Sequence, residues 1–160
     1  MKFVNNITTK DLEKRIIQFL DKQNMCVIAT CSDNVPRATP VEYRSKGIIV
    51  YFVGEPGTKL ENIKKNPNVS LGVFLPYIGW DSAKGVQITG KAKIISRENL
   101  TEFKEGLAAY KWEKTAKELG LKTFPETGVE LVKVEPEKIE FIDMSLKKLG
   151  CSPRQTLYVN

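Results

Sequence analysis

The sequence contains no histidine among its 160 residues. Without an imidazole, Ser-His and Cys-His nucleophilic pairs and histidine-ligated metal sites are excluded. Acid/base catalysis by histidine is excluded for the same reason. Any catalysis must therefore come from Lys, Arg, Tyr, carboxylates or a bound cofactor.

Cysteines are also few, and long apolar runs are missing. Cys26, Cys31 and Cys151 form no C-x-x-C pair and have no metal-ligand spacing. We therefore expect free thiols in a reducing compartment and no metal site. No apolar run approaches the roughly 18 residues of a membrane span, and the N-terminal MKFVNNITTKDLEKR lacks a secretory signal. We interpret the protein as cytoplasmic and not membrane-associated.

The charge balance is basic, with a formal net charge of +6. A polyanion partner and an ordinary solvated basic surface both account for such a charge. The lysines are scattered and form no stripe interleaved with aromatic residues, which favours the solvated surface over nucleic-acid binding. A polyanion-binding module remains an alternative function.

Hydrophobic residues make up 41% of the chain, enough for the core of one domain over residues 1–160. Helical spacing of apolar residues predicts a helix over 8–22, started by a capping-box-like Thr8 and Asp11. Further helices are predicted over 59–66 and 97–119. Prolines 36 and 40 indicate an edge strand or a bulge. The predicted strands are 25–31, 35–44, 48–53, 68–74, 85–95, 129–136 and 138–143, with the first three forming a meander.

Six or seven short, mostly antiparallel strands with flanking helices predict a small barrel of the α+β class, mainly β. Within it, Gly57-Thr58-Lys59 stands at the start of the helix that Asn66-Pro67 ends. Helix N-termini offer free N–H groups to anions, and Thr58 could cap this one. Taken singly, Gly57 is an ordinary turn glycine and Lys59 a solvated lysine. A phosphate-binding role for them therefore depends on the surrounding sequence pattern.

The order of these elements, together with the run KLENIKKNPNVSL from Lys59 to Leu71, resembles the FMN-binding split-barrel proteins related to pyridoxamine 5'-phosphate oxidase. The similarity extends from about Met25 to Ile95. It implies a split β-barrel that forms a homodimer, with FMN held at the subunit interface. It also favours a phosphate-binding role for Gly57-Thr58-Lys59.

The resemblance assigns cofactor-binding roles to individual positions. Arg37 corresponds to the basic residue that reaches the FMN phosphate or ribityl chain, and Thr58 and Lys59 to those that hold the phosphate. Asn62 corresponds to the asparagine that braces this turn. The remaining positions are Ala38, Thr39, Pro40 and Val41 along the flavin, Phe52, Val53 and Gly54 beside it, and Trp80, Ser82 and Lys84 in a loop that approaches it from the partner subunit.

The chain also departs from the family pattern. The usual G-[ST]-R-K becomes Gly57-Thr58-Lys59, one basic residue short, so we expect weaker FMN binding. The C-terminal Arg-x-His substrate signature is missing, because there is no histidine and Arg154 stands in the unrelated CSPRQTL. We therefore do not expect pyridoxine phosphate to be the substrate.

The predicted function is that of an FMN flavoprotein, an oxidoreductase passing electrons from NADH or NADPH to an unknown acceptor. No side chain is predicted to be catalytic, which suits hydride transfer because that reaction needs mainly alignment. A non-catalytic flavin carrier is the alternative. Relatives of this barrel that bind a deazaflavin or haem are further alternatives, although the missing histidine argues against a histidine-ligated haem.

Overall fold

A computed structural model of the protein describes residues 5–160; residues 1–4 of the predicted domain lie outside the described part. The four α-helices are α1 (Thr9–Lys22), α2 (Thr58–Lys65), α3 (Leu100–Tyr110) and α4 (Trp112–Leu119). Short 3₁₀ segments cover Trp80–Ser82 and Met144–Leu149. The strands are β1 (Met25–Ser32), β2 (Val35–Glu42), β3 (Arg44–Lys46), β4 (Ile49–Gly54), β5 (Asn68–Phe74), β6 (Lys84–Ile94), β7 (Glu130–Asp143) and β8 (Arg154–Tyr158).

The eight strands form one curled antiparallel sheet in the order β2-β1-β5-β6-β7-β4-β3, with β8 also paired to β7. This confirms the predicted mainly-β antiparallel split barrel with flanking helices, with eight strands instead of six or seven. The predicted capping of α1 is also confirmed, because Thr8 Oγ1 accepts a hydrogen bond from the backbone N–H of Asp11 at 3.1 Å. Within residues 5–160, no helix is long and apolar enough to cross a membrane.

The predicted three-strand meander holds only in part, because its second strand is divided at Tyr43 into β2, which pairs with β1, and β3, which pairs with β4. β2 pairs only with β1 along the sheet order and forms one edge, whereas β3 and β4 form the opposite edge, where β4 pairs with β7. The chain crosses between the edges at Tyr43, whose ring is fully buried and whose hydroxyl donates to the Leu20 carbonyl at 2.8 Å. The hydrophobic pattern located extended segments but could not show which neighbour each one pairs with.

The C-terminal third also differs from the prediction. One continuous strand, β7, replaces the two strands predicted over 129–136 and 138–143, and the predicted tail contains β8. The β6–β7 register shifts between Thr89 and Gly90, so Gly90 pairs with Pro136. A Cβ at Gly90 would overlap the carbonyl oxygen of Glu135. This bulge accommodates a proline that a regular central strand would exclude.

The predicted helix over 97–119 begins later and is broken in two. Lys111, between α3 and α4, adopts a left-handed conformation with φ 59° and ψ 44°. The break lets Tyr110 and Trp112 both pack in the core, while Leu100 and Leu119 remain exposed. Tertiary packing therefore overrides a helical pattern that looked continuous.

Two apolar clusters stabilise the fold. The larger fills the barrel and is closed by α1 and α2, with Phe52 and Ile88 fully buried. The smaller lies beneath α3 and α4, where Tyr51 and Leu131 face outward from β4 and β7. Successive strand side chains point to opposite faces, so one strand supplies both clusters.

Candidate functional site

Helix α2 is fixed to β1 by the amide of Asn62. This side chain is 4% exposed. Its Nδ2 donates to Thr30 Oγ1 at 3.1 Å, and its Oδ1 accepts from Ser32 Oγ at 2.8 Å. Asn66 adds a third bond, from its Nδ2 to the Cys31 carbonyl oxygen at 3.0 Å. Because both the oxygen and the nitrogen of the Asn62 amide bond to β1 side chains, this residue fixes α2 to β1.

The N-terminus of α2 has no side-chain cap. Gly57 is the N-cap, with φ 153°, and within residues 5–160 no side-chain hydrogen bond caps the first turn. The prediction that Thr58 caps this helix is wrong, because Thr58 is already its first helical residue. An uncapped first turn leaves N–H donors and a partial positive charge directed outward.

Lys59 lies beside this open end. Its Nζ is 3.5 Å from the Glu55 carbonyl oxygen, and its side chain packs against Gly54, where a Cβ would lie 3.2 Å from Nζ. Burial lowers the pKa of Lys59; the Glu55 charge opposes this shift, and the Arg37 charge adds to it. Within residues 5–160, neither Lys59 nor Arg37 has a carboxylate at ion-pair distance. The site therefore holds two poorly compensated positive charges.

Strand β2 extends from Arg37 along an open edge of the sheet. Arg37, Ala38 and Pro40 are exposed, while Val41 is buried. The hydroxyl oxygen of Thr39 is buried and has no hydrogen-bond partner in the described part of the chain. An exposed apolar strip beside an unpaired hydroxyl is suited to covering part of a ligand.

The residues predicted on β4 are placed differently from one another. The Phe52 ring is fully buried in the barrel core, so its side chain faces away from any surface ligand. Val53 is half-buried in the second cluster, and Gly54 contacts Lys59. The end of β4 thus reaches Lys59, in the first turn of α2, through Gly54.

The sequence model of the pyridoxamine 5'-phosphate oxidase family matches residues 12–143. The chain belongs to this family. The match covers the barrel strands β1 to β7 and both sides of the candidate site. It confirms the resemblance inferred from the Lys59–Leu71 run.

The individual proteins that match this chain have low sequence identity to it. UPF0306 protein PM1958 from Pasteurella multocida is 27% identical over 105 residues, covering 64% of this chain and 68% of that protein. A FAD-binding protein from Mesorhizobium loti superposes with a TM-score of 0.64 at 17% identity, covering 79% of this chain and 90% of the other. A heme-binding protein from Mycobacterium smegmatis superposes with a TM-score of 0.66 at 16% identity, covering 97% of this chain and 60% of the other. At these identities the structures share the fold with this family member.

The predicted Trp80, Ser82 and Lys84 loop lies away from α2 in the same chain. Gly72 of β5 pairs with Val27, so the loop after β5 lies near the Met25 end of β1, whereas α2 packs at the Thr30–Ser32 end. Eight strand residues separate these ends by about 25 Å. Ser82 Oγ donates to the Gly79 carbonyl at 2.7 Å, and Lys84 Nζ lies 2.9 Å from Asp143. Trp80 is 64% exposed.

Sequence reasoning missed a polar cluster at the far end of β2. Arg44 Nη1 lies 2.6 Å from Glu42 Oε1, and the Tyr110 hydroxyl donates to Glu42 Oε2 at 3.3 Å. Burial raises the pKa of Tyr110, and the Glu42 charge adds to the shift. The Glu42–Arg44 spacing on an extended segment was a readable signal. The part played by Tyr110 was not, because it depends on how α3 packs.

Proposed function

We propose that this protein is an FMN-binding flavoprotein that holds the FMN phosphate between the N-terminus of α2, Lys59 and Arg37. The supporting observation is that Lys59 lies in the uncapped first turn of α2 and Arg37 pairs with Thr30, the strand residue bonded to α2, while neither cation has a carboxylate partner in residues 5–160. A phosphate dianion compensates both charges and accepts from the open N–H groups. Thr58 adds a hydroxyl donor at the first helical position.

The strand from Ala38 to Val41 is proposed to lie along the flavin, with the unpaired Thr39 hydroxyl as a further donor or acceptor. Bound FMN would supply the redox chemistry that no side chain here provides. The protein's own residues bind the phosphate, orient the ring and exclude water from one face of it. One basic residue fewer than the family pattern predicts a weaker phosphate contact.

Fluorescence titration of the purified protein tests this site. The double variant Arg37→Ala with Lys59→Ala should bind FMN more than about tenfold more weakly, because charge-assisted contacts contribute about 1.5–3 kcal/mol each. Riboflavin, which lacks the phosphate, should bind the variant and the wild type equally. Lys64→Ala, an exposed lysine on the same helix, is the control. Unchanged FMN affinity in the double variant contradicts the proposal.

The proposed reaction is electron transfer from NADH or NADPH through FMN to an acceptor. The support is the family membership and the absence of histidine, which leaves the redox chemistry to a cofactor. Steady oxidation of either nicotinamide by the FMN-loaded protein, faster than by free FMN, is the expected result. Tight FMN binding with no turnover of either donor would instead support a flavin carrier.

Haem is a second candidate ligand because one structural neighbour is a heme-binding protein. The chain offers no histidine ligand for haem iron, so flavin is favoured. The visible spectrum of the purified protein separates the two. A flavin absorbs in the blue with yellow-green fluorescence, whereas a haem gives an intense Soret band without that fluorescence.

A second copy of the chain is proposed to complete the flavin site. The outer edge of β2 is open, and the loop after β5 exposes Phe74, Tyr77, Ile78 and Trp80 by 64–84%. Exposed apolar clusters of this kind mark interfaces. Because this loop is distant from α2 in its own chain, it can cover the flavin only from a partner.

Light scattering should give about twice the chain mass. Trp80 is exposed in one chain while Trp112 is 8% exposed, so dilution to monomer should shift the tryptophan emission to longer wavelength. Trp80→Phe should abolish that shift. A monomer at all concentrations, with FMN still bound, would contradict the shared site.

We also place the protein in the cytoplasm, a proposal supported by its three unpaired cysteines.

A further inference from the structure

A groove of about 550 Å³ lies at the elbow between α3 and α4. Its apolar wall contains Leu107, Ala108 and Trp112, and three lysines line it as well: Lys104, Lys111 and Lys114. Glu113 is the single acidic residue among those lining it. The groove is thus apolar inside with a net positive border, and its volume lies in the range of small-molecule sites.

Trp112 supplies an unsatisfied donor in this wall. The residue is 8% exposed, and its ring packs on Phe124 with centroids 4.8 Å apart. Its Nε1 is buried and has no hydrogen-bond partner in the described residues. Buried donors are nearly always paired, so an unpaired one indicates a missing acceptor. The ring that carries this donor forms part of the groove wall.

The backbone at the elbow provides an independent observation. Lys111 has φ 59° and ψ 44°, a left-handed conformation that lysine rarely adopts, and α4 begins without a side-chain cap. Glycine would occupy this position with less strain. This left-handed residue ends α3 and leads the chain into α4 at the groove edge. It places a positive charge beside the uncapped start of α4.

We infer that this groove binds an amphipathic anion, with an apolar acyl or aromatic body along Leu107, Ala108 and Trp112 and a carboxylate near Lys111 and Lys114. The carboxylate oxygens provide acceptors for the lysine ammonium groups. The charge of three lysines against one glutamate selects an anion over a neutral or cationic analogue. The inference does not depend on flavin binding.

Decanoate is the probe, measured by tryptophan fluorescence of the full-length Trp80→Phe protein, in which Trp112 is the sole tryptophan. We expect a saturable change in Trp112 emission with decanoate. Decanol, which has a similar chain and no charge, should bind about fivefold more weakly, because a surface charge contact contributes up to about 1 kcal/mol. Lys111→Gly and Lys114→Gln should each weaken decanoate binding by a similar factor.

Lys117→Gln is the matched control, because Lys117 is an exposed lysine of α4 that does not line the groove. Its decanoate affinity should equal that of the parent. Lys111→Gly removes backbone strain, so thermal melting should show that it stays folded. Ala108→Phe, an exposed position that fills the groove, should abolish binding. No saturable change, equal affinity for decanol, or equal loss in Lys117→Gln would overturn the inference.

Discussion

The ammonium group of Lys84 lies 2.9 Å from the carboxylate of Asp143, whose side chain is 3% exposed. Asp143 Oδ1 also accepts from the backbone N–H and the hydroxyl of Ser145, at 3.0 and 2.6 Å. Burial alone would raise the pKa of Asp143, but the bonds from Ser145 and Lys84 outweigh it and lower the pKa below its usual value. This pair fixes the start of β6 to the end of β7.

Asp143→Asn should therefore destabilise the protein at pH 7 by about 2 kcal/mol, because the amide cannot replace the charge-assisted bonds. A carboxylate with a lowered folded pKa stabilises above its unfolded pKa of about 3.9 and loses that effect as pH falls through the folded value. The difference between variant and wild type should shrink as urea denaturation is repeated below about pH 4. Asp81→Asn, at an exposed carboxylate, is the control. A difference independent of pH would contradict this account.

Asn62→Leu should weaken the attachment of α2 to β1. The substitution leaves the Thr30 and Ser32 hydroxyls without their amide partner, a loss of about 1–3 kcal/mol for buried polar groups. Urea denaturation measures it. Asn24→Ala, at an exposed asparagine, should change stability by less than about 0.5 kcal/mol. Equal effects of both substitutions would show that Asn62 does not brace the helix.

Lys59→Met should raise the thermal midpoint of the flavin-free protein and lower that of the protein with FMN. Burial lowers the pKa of Lys59, so the charged form costs the folded state stability at neutral pH. This cost is present below the folded pKa and disappears as pH rises above the unfolded value of about 10.4. Differential scanning fluorimetry with and without FMN measures both effects. Lys64→Met should change neither thermal midpoint. A lower midpoint for Lys59→Met without FMN would contradict this account.

Gly90→Ala should destabilise the sheet by more than about 2 kcal/mol, because the added methyl would overlap the Glu135 carbonyl and strain the bulge. Gly72→Ala is the matched control on the neighbouring strand, since a Cβ there would have no atom within 4 Å. Circular dichroism during thermal unfolding compares the two. Tolerance of Gly90→Ala would mean that the β6–β7 backbones can separate at little cost.

The sequence predicted local elements well where apolar spacing was regular. The strand predicted over 68–74 is β5, and Thr8 caps α1 as its spacing from Asp11 suggested. The Lys59–Leu71 run predicted a short helix followed by a strand, and both are present. These features depend on neighbouring residues alone, through capping, proline and side-chain period.

The strand pairing and the break between α3 and α4 could be seen only in the tertiary structure. Whether β2 or β7 lies beside β4 depends on barrel closure through Tyr43, which no local pattern encodes. The interruption at Lys111 follows from burying both Tyr110 and Trp112, and the continuity of β7 through Pro136 follows from a bulge in β7 itself, where Glu137 has no partner in the β6 register.

The sequence by itself determined the residue types of the candidate site. These are an arginine in an extended segment, a lysine in a short helix ended by Asn66-Pro67, and no histidine. Only the tertiary structure decided that Arg37 lies across from Thr30, the strand residue to which α2 is bonded, and that Lys84 is paired with Asp143. The physical reason is that helix starts and strand periods are local properties. Charge compensation depends on which distant strands the barrel brings together.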